Sequence, residues 1–429
     1  MSTNKVSEKV IAVGVVLPDR SRRVAEEHLD ELEKLIETAG GTVISKILAK
    51  RNAPDAATWI GSGKAEEIKQ LAEKERVSLV VFDDELSPAQ TRNLEKIIGT
   101  KVIDRSALIL DIFAGRARSR EARTQVELAQ LEYMLPRLTR QWSHLERQAG
   151  GIGTRGVGET QLEIDRRIVR TKISQLKGEL QKIEQTRQTQ RKSRAAAFTV
   201  ALVGYTNAGK STLFNRLTGG SAWAVDKLFA TLDAKSQRTV FPMPRPTVII
   251  DTVGFVRKLP HHLVASFRST MEEAVSADLV LHVIDSTHEE QAVVGAEVLA
   301  ELGIPEERVI DVFNKDDLSR GFEVSESRGN YFETARPRDR ASISALTGRG
   351  IEKLVDMIRA RELAGGEVLH LEIPHEQSRV IAKLHEIAEV HQQQSGDQVM
   401  QITAWVPQNA IHDFAHFSVS DSLKPAKVG

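Results

Sequence analysis

Gly204-Tyr-Thr-Asn-Ala-Gly-Lys-Ser211 decides the fold of this chain. The stretch fits G-x-x-x-x-G-K-[ST] in full, the pattern of a phosphate-binding loop. Phe198-Thr-Val-Ala-Leu-Val203 before it is short, apolar and β-leaning, and Thr212-Leu-Phe-Asn-Arg-Leu217 after it reads as the first turns of a helix. Strand, glycine loop and helix are the context the motif needs, which a chance glycine turn lacks. Gly204 and Gly209 allow backbone conformations that a Cβ resists. The loop, Ala208 included, and the helix start at Thr212 then point successive N–H groups at phosphate oxygens, beside the positive end of a helix dipole. Lys210 adds a point charge near the β- and γ-phosphates, and the Ser211 hydroxyl can ligate Mg²⁺.

Elements that read a base follow downstream. Asn314-Lys-Asp-Asp317 fits N-K-x-D and comes after the apolar run Val309-Ile-Asp-Val-Phe313, at a strand's C-terminal end, where open α/β sheets bind ligands. The Asp317 carboxylate can accept from the N1–H and 2-amino group of guanine. Adenine offers no such donor pair, so GTP is expected over ATP. Asn314 and the Lys315 stem would brace loop and base, and Ser344-Ala345, after Ala341-Ser-Ile343, resembles a last guanine-contacting loop. Between them lies Asp251-Thr-Val-Gly254, following the strand Thr247-Val-Ile-Ile250. Asp251 is expected to hold Mg²⁺ through water, and the Gly254 N–H to sense the γ-phosphate. Thr231, in Leu228-Phe-Ala-Thr-Leu-Asp233, is the candidate switch threonine that closes on Mg²⁺. Lys210, Thr231 and Gly254 are therefore the candidate catalytic groups.

Phe255 stands where Ras-like enzymes place a water-orienting Gln. A phenyl ring makes no such hydrogen bond. Intrinsic hydrolysis is expected to be slow unless backbone, a cation or a partner places the water. Asn207 resembles the loop Asn of GTPases that bind K⁺ near the β–γ bridge; its plainer role is to shape the loop.

At 429 residues the chain is long enough for two to four domains. Its formal net charge is zero, so no overall field draws it to nucleic acid or membrane. The absence of cysteine excludes disulfides and Cys-based zinc sites and fits a reducing cytosol. The apolar run Val10 to Pro18 is too short for a membrane span and lacks a small-residue cleavage site. A soluble, cytoplasmic protein without stable membrane insertion is expected.

Residues 10 to about 112 alternate strand and helix patterns, which argues a βαβ-type domain with a parallel sheet. Gly61-Ser-Gly-Lys64 within it imitates a phosphate loop, but Ala65 follows the Lys and no glycine occupies the motif's first position. A glycine turn that starts a helix is the favoured reading. Residues 105 to about 195 change to long helical patterns. One helix is expected from Arg105 to Gln148, kinked at Pro136, and a second from Glu159 to Arg194. They would pack as an antiparallel hairpin around Ala149-Gly-Gly-Ile-Gly-Thr-Arg-Gly-Val-Gly158. After the phosphate-loop domain, a polar loop is expected around Arg338-Asp339-Arg340. Residues 367–429 then read as strand, helix (Glu376 to His391) and strand, with no nameable chemistry.

From Gly115 to Arg194 there are eighteen Lys or Arg against nine Asp or Glu, so the remainder of the chain is net acidic by nine. A basic arm on an acidic body is the footprint of a phosphate-backbone binder. A solvated coiled-coil face is the plainer alternative. The glycine tip favours a ligand, because glycines permit close backbone approach and are costly to order without a partner. Arg155 and Trp142 are candidates to stack on bases.

Together these stretches resemble the HflX family of translational GTPases, in a group with the Obg proteins. The carriers are Gly150-Gly-Ile-Gly-Thr-Arg-Gly-Val-Gly-Glu-Thr-Gln-Leu-Glu163, Gly204 to Arg216, Leu228 to Asp233 and Asp251 to Phe255. Leu86-Ser-Pro-Ala-Gln-Thr-Arg-Asn-Leu-Glu95 and Val102-Ile-Asp-Arg105 are similar to that family's N-terminal domain. The resemblance implies a factor that binds the large ribosomal subunit and its rRNA and inserts the glycine tip near the peptidyl-transferase centre; a monomer is expected. It further implies splitting of stalled ribosomes under heat or other stress, ribosome-stimulated GTP hydrolysis, and ATP use by the N-terminal domain. The expected fold class is α/β, with four parts. An N-terminal α/β domain (1–112) precedes a basic helical hairpin (113–195). A P-loop GTPase domain (196–364) and a small C-terminal α+β domain (367–429) complete it. Two rivals stay open: a GTP switch whose coiled-coil arm binds a protein, and a GTP-binding scaffold that does not hydrolyse.

Overall fold

The computed structural model describes residues 8–18, 21–138, 161–193, 197–220, 228–229, 231–257, 268–288, 290–318, 339–396 and 398–419. The glycine tip, Trp142, Arg155 and Arg338 lie outside the described residues. The chain divides into two compact units: residues 1–185 with 225–233 and 258–269, and residues 186–224, 234–257 and 270–429.

The first unit opens with β1 (Glu8–Val16), α1 (Arg22–Ala39), β2 (Gly41–Lys50), α2 (Ser62–Glu75), β3 (Leu79–Phe82), α3 (Pro88–Ile98) and β4 (Lys101–Asp104). The strands pair in the order β2-β1-β3-β4, all parallel, and each crossover carries a helix, as parallel pairing requires. Ile11, Val13, Val80 and Phe82 bury against Ile68 and Leu94, each side chain contributing roughly 1.5–3 kcal/mol. The helix starts have chemical causes. The Ser21 hydroxyl accepts from the Val24 N–H, and Ser87 and Gln90 form a reciprocal capping box with Pro88 at the first position. In the imitation loop, Arg51 lies over Gly61, where a Cβ would meet its Nη2 at 1.3 Å. The Arg51 Nε donates to the Ile60 carbonyl at 2.7 Å, and Lys64 pairs with Glu67. That glycine turn wraps its own arginine.

β4 runs directly into α4 (Arg105–Arg116), and Asp104 and Arg105 explain the Val102-Ile-Asp-Arg105 motif. The buried Asp104 carboxylate accepts from the Leu86 and Ala107 amides at 3.2 and 2.9 Å, the Tyr133 hydroxyl at 2.9 Å and Arg137 at 3.1 Å. Arg105, equally buried, pairs with Asp83 at 2.7 Å and with Glu31. One continuous helix from Arg105 is corrected here. α4 ends at Arg116, and α5 (Arg120–Met134) starts anew and closes in a single 3₁₀ turn, Leu135–Arg137, that contains Pro136. The break is held by Asp233, which accepts from the Arg118 and Ser119 amides at 3.1 and 3.2 Å and from the Ser119 hydroxyl. Ser119 in turn caps α5 by accepting from the Ala122 N–H at 3.0 Å. α6 (Gln161–Ser193) is linked to α5 by exposed ion pairs, Lys172–Glu127 and Lys177–Glu132 among them, each contributing less than about 1 kcal/mol.

Further elements are β5 (Phe198–Gly204), α7 (Lys210–Thr218), β6 (Lys235–Arg238), β7 (Thr247–Asp251), α8 (Arg268–Ser276), β8 (Leu279–Asp285), α9 (Glu290–Glu301), β9 (Val309–Asn314), β10 (Asp339–Ser342) and α10 (Ile351–Ala364). The sheet order is β10-β9-β8-β5-β7-β6, parallel except for β6. Val200, Leu202, Leu281, Val283 and Val312 form its core with Leu213 and Leu354. The loop expected around Asp339-Arg340 is instead edge strand β10, in register with β9 (Ala341 opposite Val312). Strand β6, every residue exposed, has no counterpart in the expected pattern.

Residues 366–419 form β11 (Gly366–Pro374), α11 (Ser378–Ile387), β12 (Glu389–Ser395), β13 (Val399–Pro407) and the short α12 (Ile411–Phe414), with antiparallel order β11-β13-β12. The helix expected to run to His391 stops at Ile387, and residues 389–395 join the sheet edge. Trp405 donates to the Leu363 carbonyl at 2.8 Å, and Arg245 pairs at 3.2 Å with the buried Glu362. Among the described residues no helix is long and apolar enough to cross a membrane.

Candidate nucleotide-binding site

The predicted phosphate loop turns between the C-terminal end of β5 and the first turn of α7. Gly204 has φ 147°, and a Cβ there would sit 2.1 Å from the Val283 carbonyl oxygen; Gly209 has φ 95°, and a Cβ would meet Asn314 Nδ2 at 2.1 Å. No side chain fits either place. Asn207 takes φ 64°, a left-handed conformation that Asn tolerates better than most residues, so shaping the loop is a role its backbone already requires. Lys210 is 6% exposed, and its ammonium donates to the carbonyls of Gly204 at 3.0 Å and Tyr205 at 2.7 Å. Burial pushes its pKa down to about 8, against the pull of the Asp251 charge. A phosphate here would give this buried cation the partner it needs.

The Ser211 hydroxyl donates to Asp251 Oδ2 at 2.8 Å. A hydroxyl and a carboxylate so joined suit Mg²⁺, the first as direct ligand and the second through water. Among the described residues no group of three or more His, Cys, Asp or Glu side chains is placed to hold a metal. Gly254 presses on the loop: a Cβ would meet Thr206 Cα at 2.7 Å and Lys210 Nζ at 2.9 Å. Phe255 is 2% exposed, its ring in the core of the domain.

The residues expected to read the base gather at the ends of β8 and β9. Asn314 bridges two loops, its Nδ2 donating to the Ala208 carbonyl at 2.8 Å and its Oδ1 accepting from the Ala345 N–H at 2.9 Å. Lys315 sits at φ 66° with its ammonium 2.6 Å from Asp285. Burial pushes the Asp285 carboxyl up, and hydrogen bonds from His288, Lys315 and Thr287 reverse this and hold it below the usual carboxylate range. Asp317 is exposed and open to a base. Ser344 and Ala345 are buried, and the Ser344 hydroxyl accepts from the Thr347 N–H at 3.1 Å. Sequence reading missed Asp285, which braces Lys315, and Arg216, which donates to the carbonyls of Ala345 and Leu346 at 3.3 and 2.6 Å. Asp285 ends a strand beside the phosphate loop, a signal that was available.

Thr231 belongs to the first compact unit, whereas the other candidate residues belong to the second. It is 7% exposed and lies between Leu228 and Phe229 on one side and Leu232 on the other, all buried. Phe229 takes φ 54°, and its ring meets Phe113 edge-on at 4.6 Å.

This fold and loop arrangement define a P-loop GTPase. Residues 26–114 match the family described as GTP-binding GTPase N-terminal, 116–194 the GTP-binding GTPase Middle Region, and 199–315 the 50S ribosome-binding GTPase. GTPase HflX of Caldanaerobacter subterraneus subsp. tengcongensis is 43% identical over 404 residues, 93% of this chain and 91% of that protein. GTPase HflX of Escherichia coli K12 is 44% identical over 373 residues, 86% of each. A solved GTP-binding protein from Sulfolobus solfataricus, in complex with GDP, is 26% identical, with 82% of this chain and 98% of that one covered and a TM-score of 0.42. The chain belongs to the HflX family of GTPases, and it is a GTP hydrolase.

Proposed function

We propose that this GTPase acts on the large ribosomal subunit, with the basic arm on rRNA and the tip at residues 149–158 in the productive contact. The observation that carries this reading is the match of residues 199–315 to the 50S ribosome-binding GTPase family. The arm's excess of eighteen basic over nine acidic residues supports it. On this reading the chain has four working parts: an N-terminal domain (1–112), a basic hairpin (113–195), a GTPase domain (196–364) and a C-terminal domain (367–429). Lys210 and the N–H groups from Gly204 to Thr212, with Asn207, Ala208 and Gly209 shaping the loop, hold the phosphates. Ser211, Thr231 and Asp251 would hold Mg²⁺, which when bound would supply positive charge at the γ-phosphoryl group. Asp317 reads guanine, supported by Asn314, Lys315, Ser344 and Ala345. Thr231 and Gly254 close on the γ-phosphate and release it on hydrolysis. Hydrolysis is slow without the ribosome because Phe255 orients no water, and K⁺ bound near Asn207 would supply further charge. The protein works as a cytoplasmic monomer that splits stalled ribosomes under stress, by binding two intersubunit arrangements unequally.

The test is GTP turnover in potassium buffer with and without purified large subunits, for the full chain and for a chain lacking Ala149 to Gly158. Stimulation that falls with the deletion is the expected result. No stimulation, with GTP binding intact, refutes the ribosome reading and favours a protein partner for the arm.

A further inference from the structure

The Phe255 ring is buried in the core and orients no water, and the structure ties the backbone around Gly254 to the phosphate loop. Phe255 and Tyr205 form a parallel bridge. The Phe255 N–H donates to the Gly204 carbonyl at 2.9 Å, and the Thr206 N–H donates to the Phe255 carbonyl at 2.7 Å. A third link comes from a side chain: the Arg257 N–H donates to the Tyr205 hydroxyl at 2.8 Å. Tyr205 is 4% exposed, its ring packed in the core beside Phe255, so the phenol oxygen stands at a place set by rigid packing. Its backbone carbonyl meanwhile accepts from the Lys210 ammonium. One residue thus touches both the phosphate-binding lysine and the far end of the 254–257 segment.

We propose that Tyr205 is a positioning residue for hydrolysis, its hydroxyl clasping the Arg257 amide so that residues 254–257 keep one register against the phosphate loop. It stands in for a water-orienting side chain at 255 by fixing the backbone that does the work, since small misplacements of reacting groups cost large factors in rate. This rests on Gly254 as the γ-phosphate sensor proposed above. The phenol belongs to the first variable position of the loop motif, where sequence alone asks for nothing.

Tyr205→Phe removes the hydroxyl and keeps the ring. In the full chain with Mg²⁺, kcat for GTP should fall about fivefold, the factor one hydrogen bond supplies. KM and GDP affinity should stay within about twofold, since ring and loop backbone are untouched. Unchanged kcat overturns the proposal, as does a raised KM with kcat intact, which would make Tyr205 a loop-shaping residue only. Amide hydrogen exchange on the unaltered protein is the second measurement: the Arg257 amide should be protected, and free exchange overturns the clasp without any variant. Gly254→Ala separates the two readings. If it abolishes turnover with GDP binding retained while Tyr205→Phe does nothing, only the clasp fails. If it turns over normally, the assignment of Gly254 fails and the clasp with it.

Discussion

The buried Lys210 predicts a pH-dependent grip on nucleotide. In the nucleotide-free protein burial holds its pKa down to about 8, and its ammonium rests on two backbone carbonyls, which are weaker partners for a cation than phosphate. Bound phosphate restores the charged form, so binding takes up a proton wherever the free lysine is neutral. Affinity for GDP should be flat below about pH 7 and lose about tenfold by pH 9, where only about one free molecule in eleven carries the charge. Stability of the free protein runs the opposite way. The folded pKa lies below the value of 10.5 for an exposed lysine, so the unfolded chain binds more protons between about pH 8 and 10.5, and stability rises with pH across that window. Fluorescence titration with a labelled GDP between about pH 6.5 and 9 measures the grip, with Lys210→Gln as a weak, pH-flat reference. A wild-type affinity equal at pH 7 and pH 9 would refute the reasoning and place the free lysine's pKa near that of an exposed one.

Two further predictions concern the first unit. Asp104→Ala leaves two amides, a phenol hydroxyl and a partly buried guanidinium without their shared acceptor, and should cost roughly 3–5 kcal/mol in urea unfolding; a loss under about 1 kcal/mol would mean that water replaces the carboxylate. Asp233→Ala removes the acceptor at the α4–α5 break, and a loss of about 1–2 kcal/mol is expected by analogy with helix caps. Asp233→Asn, which keeps an acceptor oxygen, should recover most of that stability, and no recovery would count against the hydrogen-bond account.

What the sequence alone determined is chemistry that is local along the chain. The phosphate loop is legible because eight consecutive residues must supply glycine freedom, a cation and a hydroxyl in fixed order. The parallel β1–β4 sheet is legible because strand and helix patterns alternate over residues 10 to about 112, and the start of α3 because Ser87 and Pro88 mark a helix N-terminus. Tertiary structure decided what depends on a distant partner. Asp339–Ser342 and Lys235–Arg238 are polar throughout or nearly so, and they are strands only because β9 and β7 offer backbone partners. Glu389 to His391 read in the sequence as the end of a helix, yet they join strand β12 at the edge of β13. The α4–α5 break waits on Asp233, more than a hundred residues away. Asn314 reads in the sequence as bracing loop and base, but that it ties Ala208 to Ala345 is seen only in the fold. Hydrogen-bond donors and acceptors are written in every residue, but which of them meet is settled only when the chain has closed on itself.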